Sequence, residues 1–133
     1  MLVNPSSGKG KASLAAPTAE QRLQQRGHEV VQVLGSDFDD ALDRLRTAIE
    51  AERPAAVVAC GGDGTVHLCV QAVAGTGIPF GMLPFGTGND NASLHGMPAD
   101  PVAAADIVAD ALHAGRTRVV DAGLAVSSDG VSR

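Results

Sequence analysis

The run "AAVVAC", Ala55 to Cys60, has no polar position, and Gly61-Gly62-Asp63-Gly64 follows it at once. A strand with one wet face alternates polar and apolar residues. One that is apolar throughout needs cover on both faces, as the central strand of a parallel sheet has. The glycine turn behind it is the kind that leads from such a strand into a helix. These ten residues therefore predict helices on both sides of a sheet, and the rest of the chain conforms.

Apolar bursts and helical patterns alternate along the chain. "MLV" is a strand stub that stops at "NPSSGKG". A helix is expected between Lys11 and Arg26, starting or kinking at Pro17 and closed by Gly27. "HEVVQVL" reads as a short β-branched strand. Ser36 with Asp39 resembles a capping box, opening a helix whose stripe is Phe38, Leu42, Leu45 and Ile49. A helix follows from Thr65 to Ala74, then a strand in "IPFGMLP" and the turn "FGTGND" with a short helix. Asp100-Pro101 starts an alanine-rich helix that ends near Gly115, and "RTRVVDAGLAV" closes as a strand. Alternating βα units of this length predict an α/β fold: a doubly wound, mostly parallel sheet with helices on both faces. All three glycine-rich turns follow strands and precede helices. They are expected along one edge of the sheet, where ligands of such folds bind.

Composition narrows the function. The chain has 133 residues, 44% hydrophobic and 19% charged, which suits one globular domain. Its only aromatic residues are three Phe, so Val, Leu, Ile and Ala must form the core by close backbone approach. A net charge of −5 without a basic run argues against nucleic acid as a partner. No window reaches the roughly 20 apolar residues of a membrane span. Cys60 and Cys69 lack metal-site spacing and read as buried hydrophobes in a reducing compartment, so a cytoplasmic location is expected.

Each glycine turn has a plain structural reading and a chemical one. "NPSSGKG" consists of turn formers. "GGDGT" makes an anion nest at a helix start, or a tight turn whose Asp63 favours the helix dipole. "PFGTGND" places two glycines, a hydroxyl, an amide and an acid at a second such turn. Neither a Walker A motif nor a dinucleotide G-x-G-x-x-G turn is present. Phosphates would be held by backbone donors and by Ser7, Thr65 and Thr87, with Lys9 as the nearby cation. An acid in a loop for phosphate should repel it unless a cation intervenes. Asp63, Asp90 and Asp121, at the ends of three expected strands, are candidates to attract Mg²⁺ directly or through water.

In this order and at these separations, "NPSSGKG", "GGDGTV" and "PFGTGND" resemble the catalytic-domain signature of the diacylglycerol kinase superfamily, which is similar in fold to the NAD kinases and phosphofructokinases. "HGMP" and "RVVDAGLA" extend the likeness. The resemblance implies a three-layer nucleotide-binding domain over residues 1–133 and ATP-dependent phosphorylation of a lipid hydroxyl such as that of diacylglycerol. It implies ATP contacts at Asn4, Ser7, Gly8, Gly62, Asp63, Gly64, Thr65, Val66, His67, Gly86, Thr87, Gly88 and Asn89. It assigns Asp63, Asp90 and Asp121 to an Mg²⁺ network.

Some positions depart from the pattern. His67 and Leu68 replace the usual Asn-Glu pair after the GGDGT turn, Gly35 and Ser36 stand near a usual threonine, and Asn91 stands where an aromatic is common. The family's second, β-rich domain, with the general base and lipid surface, is expected in the full-length protein and absent here, so no catalytic base is assigned and the isolated chain is expected to be inactive. A peripheral contact with the inner membrane face and a homodimer through the apolar interdomain face are further expectations. The alternatives are an NAD kinase-like enzyme and a non-catalytic nucleotide-binding module.

Overall fold

The computed structural model describes residues 1–126 and residue 128. Three parallel strands form the sheet in the order β1 (Leu2–Val3), β2 (Val57–Gly61), β3 (Phe80–Pro84). Residues of β2 point alternately to the two faces. Val58 and Cys60 join a core with Val3, Leu83 and the helices α1 (Lys11–Gln25) and α5 (Pro101–His113). Val57 and Ala59 join a second core with Leu2 and the helices α2 (Phe38–Glu52) and α3 (Asp63–Val73). The result is the three-layer α/β arrangement expected from a strand with no polar face.

The shortage of aromatics is met as anticipated. Ala12, Ala16 and Ala19 of α1 and Ala104, Ala105 and Ala109 of α5 are buried in one cluster, so small side chains let the two helices approach closely. Arg22 and Arg26 reach across this seam to Asp106, with Arg22 Nε at 2.8 Å and Arg26 Nη1 at 2.7 Å, and Arg26 also pairs with Asp110. The guanidinium of Arg22 is the main cause holding the Asp106 carboxyl below the usual carboxylate range. Cys60 and Cys69 are free buried thiols, and burial pushes both up to about 12, so they behave as apolar side chains.

Helix boundaries follow local chemistry. α1 closes in a Schellman motif: Gly27, at φ 87°, donates to Gln24 O and His28 donates to Leu23 O. Pro17 neither starts nor breaks α1; it sits exposed inside the helix. The cap of α2 lies one residue later than expected. Asp37 accepts the Asp40 N–H at 2.9 Å, while Asp40 accepts the Ser36 N–H at 2.8 Å. Asp100 caps α5 by accepting the Ala103 N–H at 2.8 Å, with Pro101 in the first turn.

Two expected strands do not form as elements. "HEVVQVL" meets β1 through one parallel bridge, Leu2 to Val33, with Val3 N donating to Val33 O. β1 spans only two residues, so it offers no longer ladder. Residues 116–126 carry no strand, with a single bridge position at Val126, and are exposed throughout; β-branched composition makes a strand only where a neighbour supplies pairing. The bridge at Val33 still fixes the winding. The chain leaves β1, returns beside it at Val33, then crosses to β2 on its other side. That reversal is the switch point of a doubly wound sheet, beside which folds of this type bind ligands at the carboxyl ends of the strands.

Candidate functional site: three glycine loops at one sheet edge

All three glycine loops leave the same edge side by side. Asn4 N donates to Cys60 O at 3.2 Å, and Phe85 N donates to Gly61 O at 2.9 Å. The first loop, between β1 and α1, has three successive residues with left-handed φ: Gly8 at 61°, Lys9 at 57° and Gly10 at 89°. A Cβ on Gly8 would stand 2.3 Å from the carbonyl oxygen of Phe85, so the first loop lies directly on the third. Asn4 shapes its start, accepting from the Ser6 N–H at 3.2 Å and its hydroxyl at 2.8 Å.

The second loop is pressed between the other two. A Cβ on Gly61 would meet Thr65 Oγ1 at 2.3 Å and Ser7 Oγ at 3.0 Å; one on Gly86 would meet Gly62 Cα at 2.2 Å. Glycine is required at Gly86 because backbone passes against backbone, and at Gly61 because the Thr65 side chain packs against its Cα. Gly62 is the N-cap of α3 and brings no side chain to the helix's first N–H groups. The Thr65 N–H turns back to Gly62 O at 3.0 Å; those of Asp63 and Gly64 lack intrahelical partners, as in any α-helix, and carry the positive end of its dipole. Beside them, Thr65 Oγ1 is buried with no hydrogen-bond partner among the described residues, and a buried orphan hydroxyl calls for a specific reason.

The third loop looks like the second in sequence and ends differently. It opens α4 (Asp90–Leu94), and the start of α4 is filled by the acid of the second loop. Asp63 Oδ2 accepts the Asp90 N–H at 3.1 Å, while Oδ1 accepts the Asn91 N–H at 3.0 Å and the Asn91 side-chain amide at 2.9 Å. The Asn91 backbone bond, followed by its side-chain bond, holds the Asp63 carboxyl below the usual range. Asn89, at φ 59°, fixes the turn by accepting from Gly86 N at 2.8 Å and donating to Gly86 O at 2.9 Å.

The sequence-selected residues therefore divide. Ser7, Gly8, Gly62, Gly64, Thr65, Gly86 and Gly88 sit in the three loops at the shared edge, with Thr87 exposed in the third. Asn4, Asn89 and Asp63 carry hydrogen bonds that shape those loops. Val66 belongs to the core between sheet and α3. His67 is exposed, bonded at 2.9 Å to Gln71 and tilted against Phe38. Asp121 is exposed in the stretch after α5. Among the described residues no group of three or more His, Cys, Asp or Glu stands ready to hold a metal, so the three acids do not form a direct cluster. Two do flank one point: a Cβ on Gly88 would stand 3.2 Å from Asp63 Oδ2 and 3.9 Å from Asp90 Oδ1. Sequence reasoning missed Asn91 as a loop-shaping donor; its departure from the family pattern was the available signal.

The fold and its edge of glycine loops define a three-layer α/β domain, and comparison with known proteins gives the family. The sequence profile described as "Diacylglycerol kinase catalytic domain" matches residues 1–125, and the chain belongs to that family. It is 44% identical over 133 residues to a diacylglycerol kinase of Mycobacterium tuberculosis (strain CDC 1551 / Oshkosh), covering 99% of this chain and 41% of the relative. A diacylglycerol kinase of Staphylococcus epidermidis (strain RP62A) is 31% identical over 125 residues, covering 92% of this chain and 38% of the relative. The chain thus spans about two fifths of the length of these curated relatives. No helix among the described residues is long and apolar enough to cross a membrane.

Proposed function

We propose that this chain is the ATP-binding domain of a lipid kinase that transfers the γ-phosphate to a lipid hydroxyl, with diacylglycerol as acceptor. Membership of the diacylglycerol kinase family sets the reaction class. The observation that carries the nucleotide assignment is the uncapped start of α3 beside the orphan Thr65 hydroxyl, enclosed by the first and third loops. Phosphates lie against the Gly62–Thr65 turn and the left-handed Gly8–Gly10 turn, with the Ser7, Thr65 and Thr87 hydroxyls as further donors. Mg²⁺ would accompany the nucleotide, held by one or two carboxylates together with substrate phosphates; Asp90 Oδ1 and the second lone pair of Asp63 Oδ2, both near Gly88, would fit that donor set.

Phosphoryl transfer asks a protein mainly to position and to stabilise charge, and these loops supply the donor half. The acceptor half needs a base for the lipid hydroxyl proton and a surface for the lipid. In this reading both belong to the rest of the full-length enzyme, as does peripheral membrane contact, while pairing with a second copy would use the interdomain face of this domain. The isolated chain should therefore bind Mg·ATP weakly, with Kd near the roughly 1 mM end of the scale. It should not phosphorylate diacylglycerol above background, because loss of a positioned base alone costs about 10²–10⁴-fold. Labelled ATP, Mg²⁺ and diacylglycerol micelles test both, with the full-length protein as the active control. With NAD added as a second acceptor, labelled NADP in place of phosphatidic acid from the full-length protein would overturn the lipid assignment. Lack of saturable nucleotide binding in both proteins would overturn the kinase reading itself.

A further inference from the structure

We infer that Asn91 is a positioning residue for the nucleotide site, acting through Asp63 to lock the second glycine loop onto the third. The inference rests on the ATP-binding reading above and goes beyond it by naming a residue whose place the family pattern gives to an aromatic. Asn91 presents two donors, its backbone N–H and its side-chain amide, to the single oxygen Asp63 Oδ1, at 3.0 and 2.9 Å. Beside a carboxylate only the amide nitrogen can face inward, which fixes the orientation of the Asn91 side chain. The Asp90 N–H takes the other oxygen at 3.1 Å, so the carboxylate cannot rotate without breaking a bond on either side.

The consequence reaches the phosphate turn because Asp63 is the first residue of α3, directly after the N-cap Gly62. Holding its side chain holds the peptide that carries the unfilled N–H groups of that turn. Gly62 and Gly86 are already so close that a Cβ on Gly86 would stand 2.2 Å from Gly62 Cα. That contact sets how near the loops come. The Asp63–Asn91 bonds set their relative rotation. An aromatic at position 91 can give the backbone N–H but no amide, so this chain ties the loops by one donor more.

Two substitutions separate this role from an ordinary surface role. Asn91→Ala removes the amide donor and should weaken Mg·ATP binding about three- to tenfold. Asn91→Asp keeps the shape but sets a second carboxylate against Asp63, and should weaken it by on the order of tenfold or more. If Asn91 were only an exposed residue of α4, Asn91→Asp would be neutral or stabilising, because an acid in a first helical turn favours the dipole. Amide exchange without nucleotide gives an independent readout. Protection of the amides of Gly86, Asp90 and residue 91, which carry the bonds that join the loops, should fall in the order wild type, Asn91→Ala, Asn91→Asp, while that of α1 and α5 stays unchanged. Exchange and Mg·ATP affinity in Asn91→Asp equal to or better than wild type would overturn the inference. If wild type binds no Mg·ATP, the functional reading falls, and the exchange order alone still decides whether Asn91 locks the loops.

Discussion

The turns after β2 and β3 begin alike and finish in opposite states. Gly61-Gly62-Asp63-Gly64 opens an eleven-residue helix whose N-cap glycine leaves the first N–H groups without a side-chain acceptor. Gly86-Thr87-Gly88-Asn89 opens a five-residue helix whose first N–H groups are already taken by Asp63. One turn keeps N–H groups without a side-chain acceptor, and the other is closed by its neighbour's carboxylate. A carboxylate can therefore sit inside the second glycine turn without occupying the start of its own helix. Asp63 spends its charge on α4, across 27 to 28 residues of sequence, and leaves the start of α3 free.

The comparison breaks most severely where the two turns touch. Gly86→Ala places a methyl group 2.2 Å from Gly62 Cα, and neither backbone can yield without moving a strand end. A loss on the order of 3 kcal/mol of unfolding free energy is expected, together with loss of nucleotide binding. Denaturant unfolding measures it, and a change below the usual surface range of about 0.5 kcal/mol would mean the loops are not in contact.

Thr65→Val sharpens the contrast between stability and function. The substitution removes a buried hydroxyl that has no partner at nearly constant volume, so the free protein should melt at the same temperature or higher. Mg·ATP affinity should nevertheless fall by roughly 0.5–1.5 kcal/mol, as for a lost hydrogen bond. A lower melting temperature with unchanged affinity would place the hydroxyl in an internal bond instead.

The smallest effect is one of pH. Donors from Asn91 lower the folded-state pKa of Asp63. Its bonds therefore contribute stability in full above the unfolded value of about 3.9, and lose it as pH falls through the lower folded value. Asp63→Asn should flatten the decline of melting temperature between roughly pH 5 and pH 3. An unchanged slope would mean that Asp63 titrates as an isolated carboxyl.

Much of the architecture was legible because it depends on local pattern. "AAVVAC" specified cover on both faces, and Gly27 and Asp100-Pro101 marked helix ends through their own backbone preferences. The two overstated strands, "HEVVQVL" and "RTRVVDAGLAV", show where local pattern stops: β-branched residues propose a strand, and a partner of sufficient length decides it. The site was legible as three loops in order along one edge. The destination of Asp63 was not, because nothing near it in sequence reveals that α4 arrives with two empty N–H groups. Nor was the orphan state of Thr65, which depends on the packing of the folded chain around its hydroxyl. The Ser36–Asp39 cap erred by one residue because Asp37 and Asp40 offer the same spacing with a stronger acceptor.

The central claim is that phosphate occupies the starts of α3 and α1 while the start of α4 stays filled by Asp63. Backbone amide shifts during a titration of the isotopically labelled chain with Mg·ATP test it most directly. The account predicts the largest changes at Gly8–Lys11 and Gly62–Thr65, with small ones at Asp90 and Asn91. Dominant shifts at Asp90 and Asn91, showing Asp63 displaced by the incoming phosphate, would contradict it.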